Sequence, residues 1–269
     1  MKIRNSLIVL SLGIGLLFVG CQSSDKKDNK QMSESTEESE NVPVNTLSEA
    51  EKEDGWELLF DGENPSEHWR GYCSETFPEQ GWTVEDGALK VVGSGAGEAG
   101  NGGDIIAKTQ YSSFELKLEW KVAKGGNSGI FYLAEEQCGE NGEPIWKSSP
   151  EMQILDNENH PDARLGENGN RQAGSLYDMI PADPQNASPH GEWNSVRILV
   201  YQGTVVHYQN GEKVLEYHLW TDDWKDMVAN SKFADFEGFA DVAKKGYIGL
   251  QDHGNDVWFR NIKIKNMAN

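Results

Sequence analysis

The chain has 269 residues, room for one large domain or two small ones. Hydrophobic residues make up 37% and charged residues 25%, with 29 Gly and 9 Trp, which excludes collagen, coiled coil and wholesale disorder and points to a turn-rich β protein. A formal charge of −20 would repel a nucleic-acid backbone or an anionic bilayer surface and leaves neutral ligands such as sugars.

Lys2 and Arg4 precede an apolar run, Leu7 to Val19, that is too short to span a bilayer and reads as a secretory signal over residues 1–20. Leu17-Phe18-Val19-Gly20-Cys21 resembles a bacterial lipobox, so Cys21 is expected to be lipidated and to tether the chain to the bacterial envelope, facing the periplasm or the cell surface. Residues 22–54 hold ten acidic residues, four lysines and no aromatic residue, the composition of a disordered tether, and the folded domain is expected over 55–269. Cys73 and Cys138 remain. An exported compartment permits a disulfide between them, and two buried thiols are the alternative.

Phe114, Leu116, Leu118, Trp120 and Val122 alternate with Glu115, Lys117, Glu119 and Lys121, a period of two that predicts a half-buried strand. Ala134–Asn194 is long and irregular, with a strand-like run at Glu151–Leu155, and reads as loops walling a cleft. Val196–Tyr201, Thr204–Gln209 and Lys213–Leu219 form a meander with Asn210-Gly211 at a turn. A short helix is expected at Asp222–Ser231 with Asp222 as cap, and closing strands at Tyr247–Gln251 and Val257–Lys265. Strands in series with almost no helix predict an all-β fold, a two-sheet antiparallel jelly-roll sandwich. Gly93-Ser94-Gly95-Ala96-Gly97 is followed by no βαβ unit, so it reads as a loop and not a dinucleotide cradle.

The ordered series Trp56-Glu57-Leu58-Leu59-Phe60-Asp61-Gly62, Gly126-Asn127-Ser128-Gly129-Ile130, Glu151-Met152-Gln153-Ile154-Leu155-Asp156, Ala173-Gly174-Ser175-Leu176-Tyr177-Asp178, Gly191-Glu192-Trp193-Asn194, Gln251-Asp252-His253-Gly254 and Phe259-Arg260-Asn261-Ile262 closely resembles the 3-keto-disaccharide hydrolase family. The resemblance covers about Trp56 to Lys265 and implies a concanavalin A-like lectin/glucanase jelly roll of the kind found in exported Bacteroidetes-type lipoproteins. It also implies cleavage of glycosides already oxidised at C3 by a separate sugar dehydrogenase. Members differ in substrate, so the resemblance fixes fold better than reaction.

A C3 ketone acidifies the C2 proton. A base can remove it, the C1 leaving group departs by elimination, and water adds back. Such a site needs a base at C2, a hydrogen-bond donor at the C3 oxygen and an acid for the leaving oxygen. Glu151 and Gln153 lie two apart and share a strand face, making Glu151 a candidate catalytic group and Gln153 a hydroxyl binder, against the alternative of a solvated surface carboxylate. His253 can exchange a proton near neutral pH, or serve as a loop imidazole bound to a carbonyl. Asn127 between glycines, His160 in the long loop, and Tyr177 are candidate substrate binders, with turn or core roles as alternatives. Trp146 is a candidate stacking platform. Arg260 is a candidate donor to the keto oxygen, against the alternative of bracing a carboxylate.

The six histidines lack His-x-His or His-x₃-His spacing, so no metal or other cofactor is expected. A structural Ca²⁺ is compatible with so acidic a domain, and Asp156, Asn157 and Asp162 are where its ligands would lie. An ordinary two-carboxylate glycosidase and a non-catalytic carbohydrate-binding lipoprotein are the rival readings of the function.

Overall fold

The structure, a computed structural model, describes residues 42–97, 100–139 and 142–268. The expected signal, the lipidated Cys21 and the tether as far as residue 41 lie outside the described residues. In chain order the elements are α1 (Glu49–Glu53), β1 (Trp56–Leu58), β2 (Trp69–Gly71), β3 (Trp82–Glu85), β4 (Ala88–Val91), β5 (Ile105–Tyr111), β6 (Phe114–Val122) and β7 (Asn127–Ala134). They continue with β8 (Glu151–Leu155), β9 (Asn194–Tyr201), β10 (Thr204–Gln209), β11 (Glu212–His218), α2 (Asp222–Ala229), β12 (Gly246–Leu250) and β13 (Val257–Asn266).

The strands form two antiparallel sheets. One runs β11-β10-β9-β6-β13-β4-β3 with β1 added beside β13, and the other runs β2-β5-β12-β7-β8. The alternation in β6 sends Leu116, Leu118 and Trp120 into the core, where they meet Ile130, Tyr132, Met152, Ile154 and Leu250 of the second sheet. That is the two-sheet sandwich of jelly-roll type that the alternation predicts. The β10–β11 turn carries Asn210 and Gly211 at φ 49° and 84°, the left-handed pair that a two-residue hairpin requires.

Two boundaries differ from expectation. Helix α2 is capped by Thr221, not Asp222, because the Thr221 hydroxyl accepts the Trp224 amide at 3.1 Å. The tether read over 22–54 ends earlier: within the described part, residues 42–54 fold onto the eight-stranded sheet. Asn45 exchanges two hydrogen bonds with Asn261, at 2.6 and 2.8 Å, and donates to the Gly87 carbonyl at 2.7 Å. Helix α1 is short, yet Ser48 and Glu51 form a reciprocal capping box, and Glu51 and Asp54 pair with Lys263 and Lys265 of β13. These acids therefore have partners that composition does not show.

Cys73 and Cys138 are joined in a disulfide. Beside it Arg70 holds Glu136 in a two-pronged pair at 2.6 and 2.7 Å, and the Glu136 carboxylate also accepts the Cys73 amide. This ties the start of the 134–150 connection to β2, and the 3-10 turn Ile145–Lys147 then lies over the outer face of the five-stranded sheet, where Ile145 packs with Ile106, Phe131 and Ala134.

Candidate active site

Strands β7 and β8 pair antiparallel with Gly129 opposite Gln153 and Phe131 opposite Glu151. Alternation turns Met152 and Ile154 of β8, Ile130 and Tyr132 of β7, and Ile248 and Leu250 of β12 into the core. Their neighbours face outward. Thus Asn127, Glu151, Gln153, Gln251 and, just past the end of β12, His253 reach one pocket, walled by Trp146, Tyr177, Lys232 and Phe233. The pocket's own volume is small, about 20 Å³. Among the wall side chains Lys232 is the exposed one.

Glu151 is buried, with 7% of its surface exposed, and its carboxylate lies directly over Gly129: a Cβ there would sit 2.1 Å from Glu151 Oε1. Gly129 makes the seat for this carboxylate. Gln153 Oε1 accepts the Ile154 amide at 3.0 Å, which leaves its NH₂ end as the donor for a ligand. Asn127 is 4% exposed, and its side-chain oxygen has no hydrogen-bond partner among the described residues. A buried acceptor left unsatisfied costs about 1–3 kcal/mol, so this oxygen is a ready acceptor for a sugar hydroxyl or a water.

Behind the wall runs a network of charge. The Tyr177 hydroxyl donates to Asp162 Oδ2 at 2.8 Å, Arg171 bridges Asp162 and Asp178, and Asp178 Oδ2 accepts the backbone amide of Lys232 at 3.0 Å. Burial, then the negative charges of Asp162 and Glu151, push the Tyr177 phenol far up, so it remains protonated. Lys232 Nζ lies 4.1 Å from the centre of the Tyr177 ring. Loss of water around this ammonium lowers its pKa from the ordinary lysine value, against the pull of Glu151. Sequence reading missed Lys232, which carries no periodic or motif signal in the loop after α2.

The structure brings six of the eight predicted site residues together: Asn127, Trp146, Glu151, Gln153, Tyr177 and His253. His160 does not line the pocket. It stands behind His253 with the rings edge-on, centres 6.3 Å apart, and its Nδ1 accepts the Asp162 amide at 3.2 Å, so the proton of the neutral ring sits on Nε2. Burial lowers its pKa. Arg260 lies on β13, in the other sheet. It donates to Glu119 Oε2 at 2.6 Å and stacks 4.0 Å over Trp193, bracing a carboxylate far from the pocket.

The Ca²⁺ ligands considered from sequence are occupied by donors. Burial pushes the Asp156 carboxyl up, but the amides of Gly125, Asn159 and Glu158 and the Asn159 side chain outweigh it and hold the pKa below its usual value. Asn157 accepts the Ala173 amide at 2.8 Å, and Asp162 serves Arg171 and Tyr177. Among the described residues, Cys73, Glu136 and Cys138 also cluster, but the two sulfurs are bonded to each other and offer no thiolate.

Residues 55–265 match the profile of the 3-keto-alpha-glucoside-1,2-lyase-like domain. The chain belongs to this 3-keto-disaccharide hydrolase family. It is 49% identical to a 3-keto-disaccharide hydrolase of Bacteroides thetaiotaomicron, covering 94% of this chain and 95% of the relative. A crystal structure of a candidate glycosyl hydrolase from Parabacteroides distasonis superposes with a TM-score of 0.73 at 31% identity, covering 84% of this chain and all of that one. A second from the same organism gives 0.57 at 28%, covering 74% and 99%. Family membership at this identity makes the chain a glycoside-cleaving hydrolase.

Proposed function

We propose that the protein cleaves 3-keto-glycosides by abstraction of the C2 proton, elimination of the C1 substituent and addition of water. The observation that carries this reading is the composition of the pocket: among the described residues Glu151 is the one carboxylate lining it, beside His253 and the amides of Asn127, Gln153 and Gln251. An ordinary retaining or inverting glycosidase needs two carboxyl groups flanking the bond, about 5–10 Å apart. Elimination beside a ketone needs instead a base at C2 and neutral donors at the C3 oxygen, where the enolate charge develops. Glu151 and His253 supply the base and the group that activates the added water, while the side-chain amides bind the C3 oxygen and the ring hydroxyls. The keto group must be made by a separate C3 sugar dehydrogenase, and Cys21 anchors the mature chain to the envelope by its acyl groups.

The test pairs a 3-keto-glucoside with its unoxidised parent. Cleavage of the keto compound alone is the expected result, cleavage of both favours an ordinary glycosidase, and binding without cleavage favours a carbohydrate-binding lipoprotein. With deuterium at C2, turnover is expected to show a primary isotope effect where proton abstraction limits the rate, or exchange of the label with solvent. Glu151→Gln and His253→Ala are each expected to lose about 10²–10⁴-fold in kcat with little change in binding. Full retention of C2 deuterium in the product with no isotope effect would count against elimination and favour the ordinary glycosidase.

A further inference from the structure

A second cavity, of about 480 Å³, opens on the far side of Lys232. Its walls include Asn170, Met179, Met227, Asn230 and Ser231, and Lys232 is shared with the catalytic pocket. We propose that this cavity is the leaving-group subsite, that it receives the departing hexopyranose of a disaccharide, and that Lys232, at the junction, is the acid that protonates the glycosidic oxygen. The inference rests on the elimination reading given above.

Three observations carry it. The catalytic pocket is only about 20 Å³, whereas the cavity beyond Lys232, at about 480 Å³, falls within the roughly 300–1,000 Å³ of small-molecule sites. The lining suits a sugar: the Met179 and Met227 side chains offer an apolar wall for the C–H face of a pyranose, and Asn170, Asn230 and Ser231, beside the charged Glu167, Arg171 and Asp178, offer polar edges for hydroxyls. The third is the position of the lysine. A glycosidic oxygen linking a ring in one space to a ring in the next passes the residue that the two share, and the backbone N–H of that residue donates a hydrogen bond to Asp178 Oδ2 at 3.0 Å.

The chemistry closes without another reagent. The base takes the C2 proton, the C–H electron pair forms the C1–C2 double bond, and the C1–O bond breaks with its electron pair going to the leaving oxygen. That oxygen takes a proton from the Lys232 ammonium. Water then adds across the double bond, its hydroxyl to C1 and its proton to whichever of Glu151 and His253 is not the base, while the base returns a proton to C2; proton exchange with solvent restores the Lys232 ammonium and the water-activating group. Desolvation of the ammonium, which lowers its pKa, suits it to donate.

The test compares two substrates of the full domain: a 3-keto-disaccharide, and a 3-keto-glucosyl fluoride, whose leaving group is small and departs with little need of a proton. Lys232→Met is expected to lower kcat on the disaccharide by about 10²–10⁴-fold and on the fluoride by less than about tenfold. Met227→Trp, which fills the cavity, is expected to lower the ratio of kcat/KM on disaccharide to that on fluoride by at least about tenfold, and Asn230→Trp gives a second, independent filling of the same cavity with the same readout. Equal losses on both substrates, or no loss on either, would overturn the assignment. Cleavage of neither keto compound by the unaltered protein would remove the elimination reading itself, a result distinct from an unchanged ratio in the variants.

Discussion

Gly129 shows how a single missing side chain can prepare a catalytic group. Its backbone is not in the left-handed region, so alanine is conformationally admissible there, and the obstacle is steric: the added Cβ meets Glu151 Oε1 at 2.1 Å and Cδ at 2.7 Å. Gly129→Ala is therefore expected to fold but to push the carboxylate off its seat. We expect kcat to fall at least about tenfold, since small misplacements of a positioned group are costly. If the loss runs through Glu151, the double variant Gly129→Ala/Glu151→Gln should be little worse than Glu151→Gln alone, and kinetics of the four proteins measure this coupling. Additive losses would place the effect elsewhere. The pairing of Glu151 with Gln153 was readable from their spacing, because two residues always separate side chains on one strand face. Lys232 was not, since nothing in a loop sequence announces which side chain folds back over a pocket. Arg260 was misread for a related reason: alternation tells which face of a strand a residue takes, but not which of two sheets the strand joins.

At the scale of elements, the two sheets are joined by a buried polar chain as well as by apolar packing. Tyr132 of β7 shares hydrogen bonds with His207 of β10 at 2.8 Å and Tyr217 of β11 at 2.7 Å, and His207 Nδ1 bonds the Gly174 carbonyl at 3.1 Å. Because a carbonyl only accepts, Nδ1 carries the proton, and Nε2 accepts from Tyr132. Gly174 precedes the segment that brings Tyr177 to the pocket, and the Gly174 amide is bonded to the Gln153 carbonyl, so this chain links the core to the site. Burial lowers the His207 pKa from 6.5 to about 4. The folded ring thus binds fewer protons than the unfolded one between those values. Stability is full above about pH 6.5 and falls by about 3 kcal/mol as pH drops through the window to about 4. Urea unfolding at stepped pH is expected to show this slope, and His207→Gln, which can still donate and accept, is expected to flatten it. An NMR titration midpoint for His207 near 6.5 in the folded protein would refute the argument. Element boundaries were legible in the sequence where one strand face is wet, as in β6 and the β9–β11 meander. Strand β7 is buried on both faces, because the loops cover its outer side, and so lacks the alternation that would have marked it.

Across the whole molecule, the sandwich takes in residues ahead of Gly55, since the described residues 42–54 already pack against it. The acids of α1 resembled tether in composition, but Glu51 and Asp54 answer Lys263 and Lys265 on the last strand. For Glu51, burial raises the carboxyl pKa, and the bonds from Lys263 and Ser48 outweigh it, leaving the pKa below its usual value, so the pairing favours the folded state. Asn45 adds three hydrogen bonds, each contributing about 1 kcal/mol. This yields a sharp expectation for trypsin. Lys30 lies in the acidic spacer and Lys52 inside α1. Membranes carrying the full chain should release a soluble, active domain beginning at Gln31, with the bond after Lys52 resistant, since cleavage there requires α1 to leave the sheet. Cys21→Ser should leave the membrane fraction before any protease is added. N-terminal sequencing of the released fragment decides the boundary: a start at Glu53, formed as fast as the start at Gln31, would mean that residues 42–54 are not held. Persistence of Cys21→Ser in the membrane fraction would mean that the attachment is made by something other than the lipid.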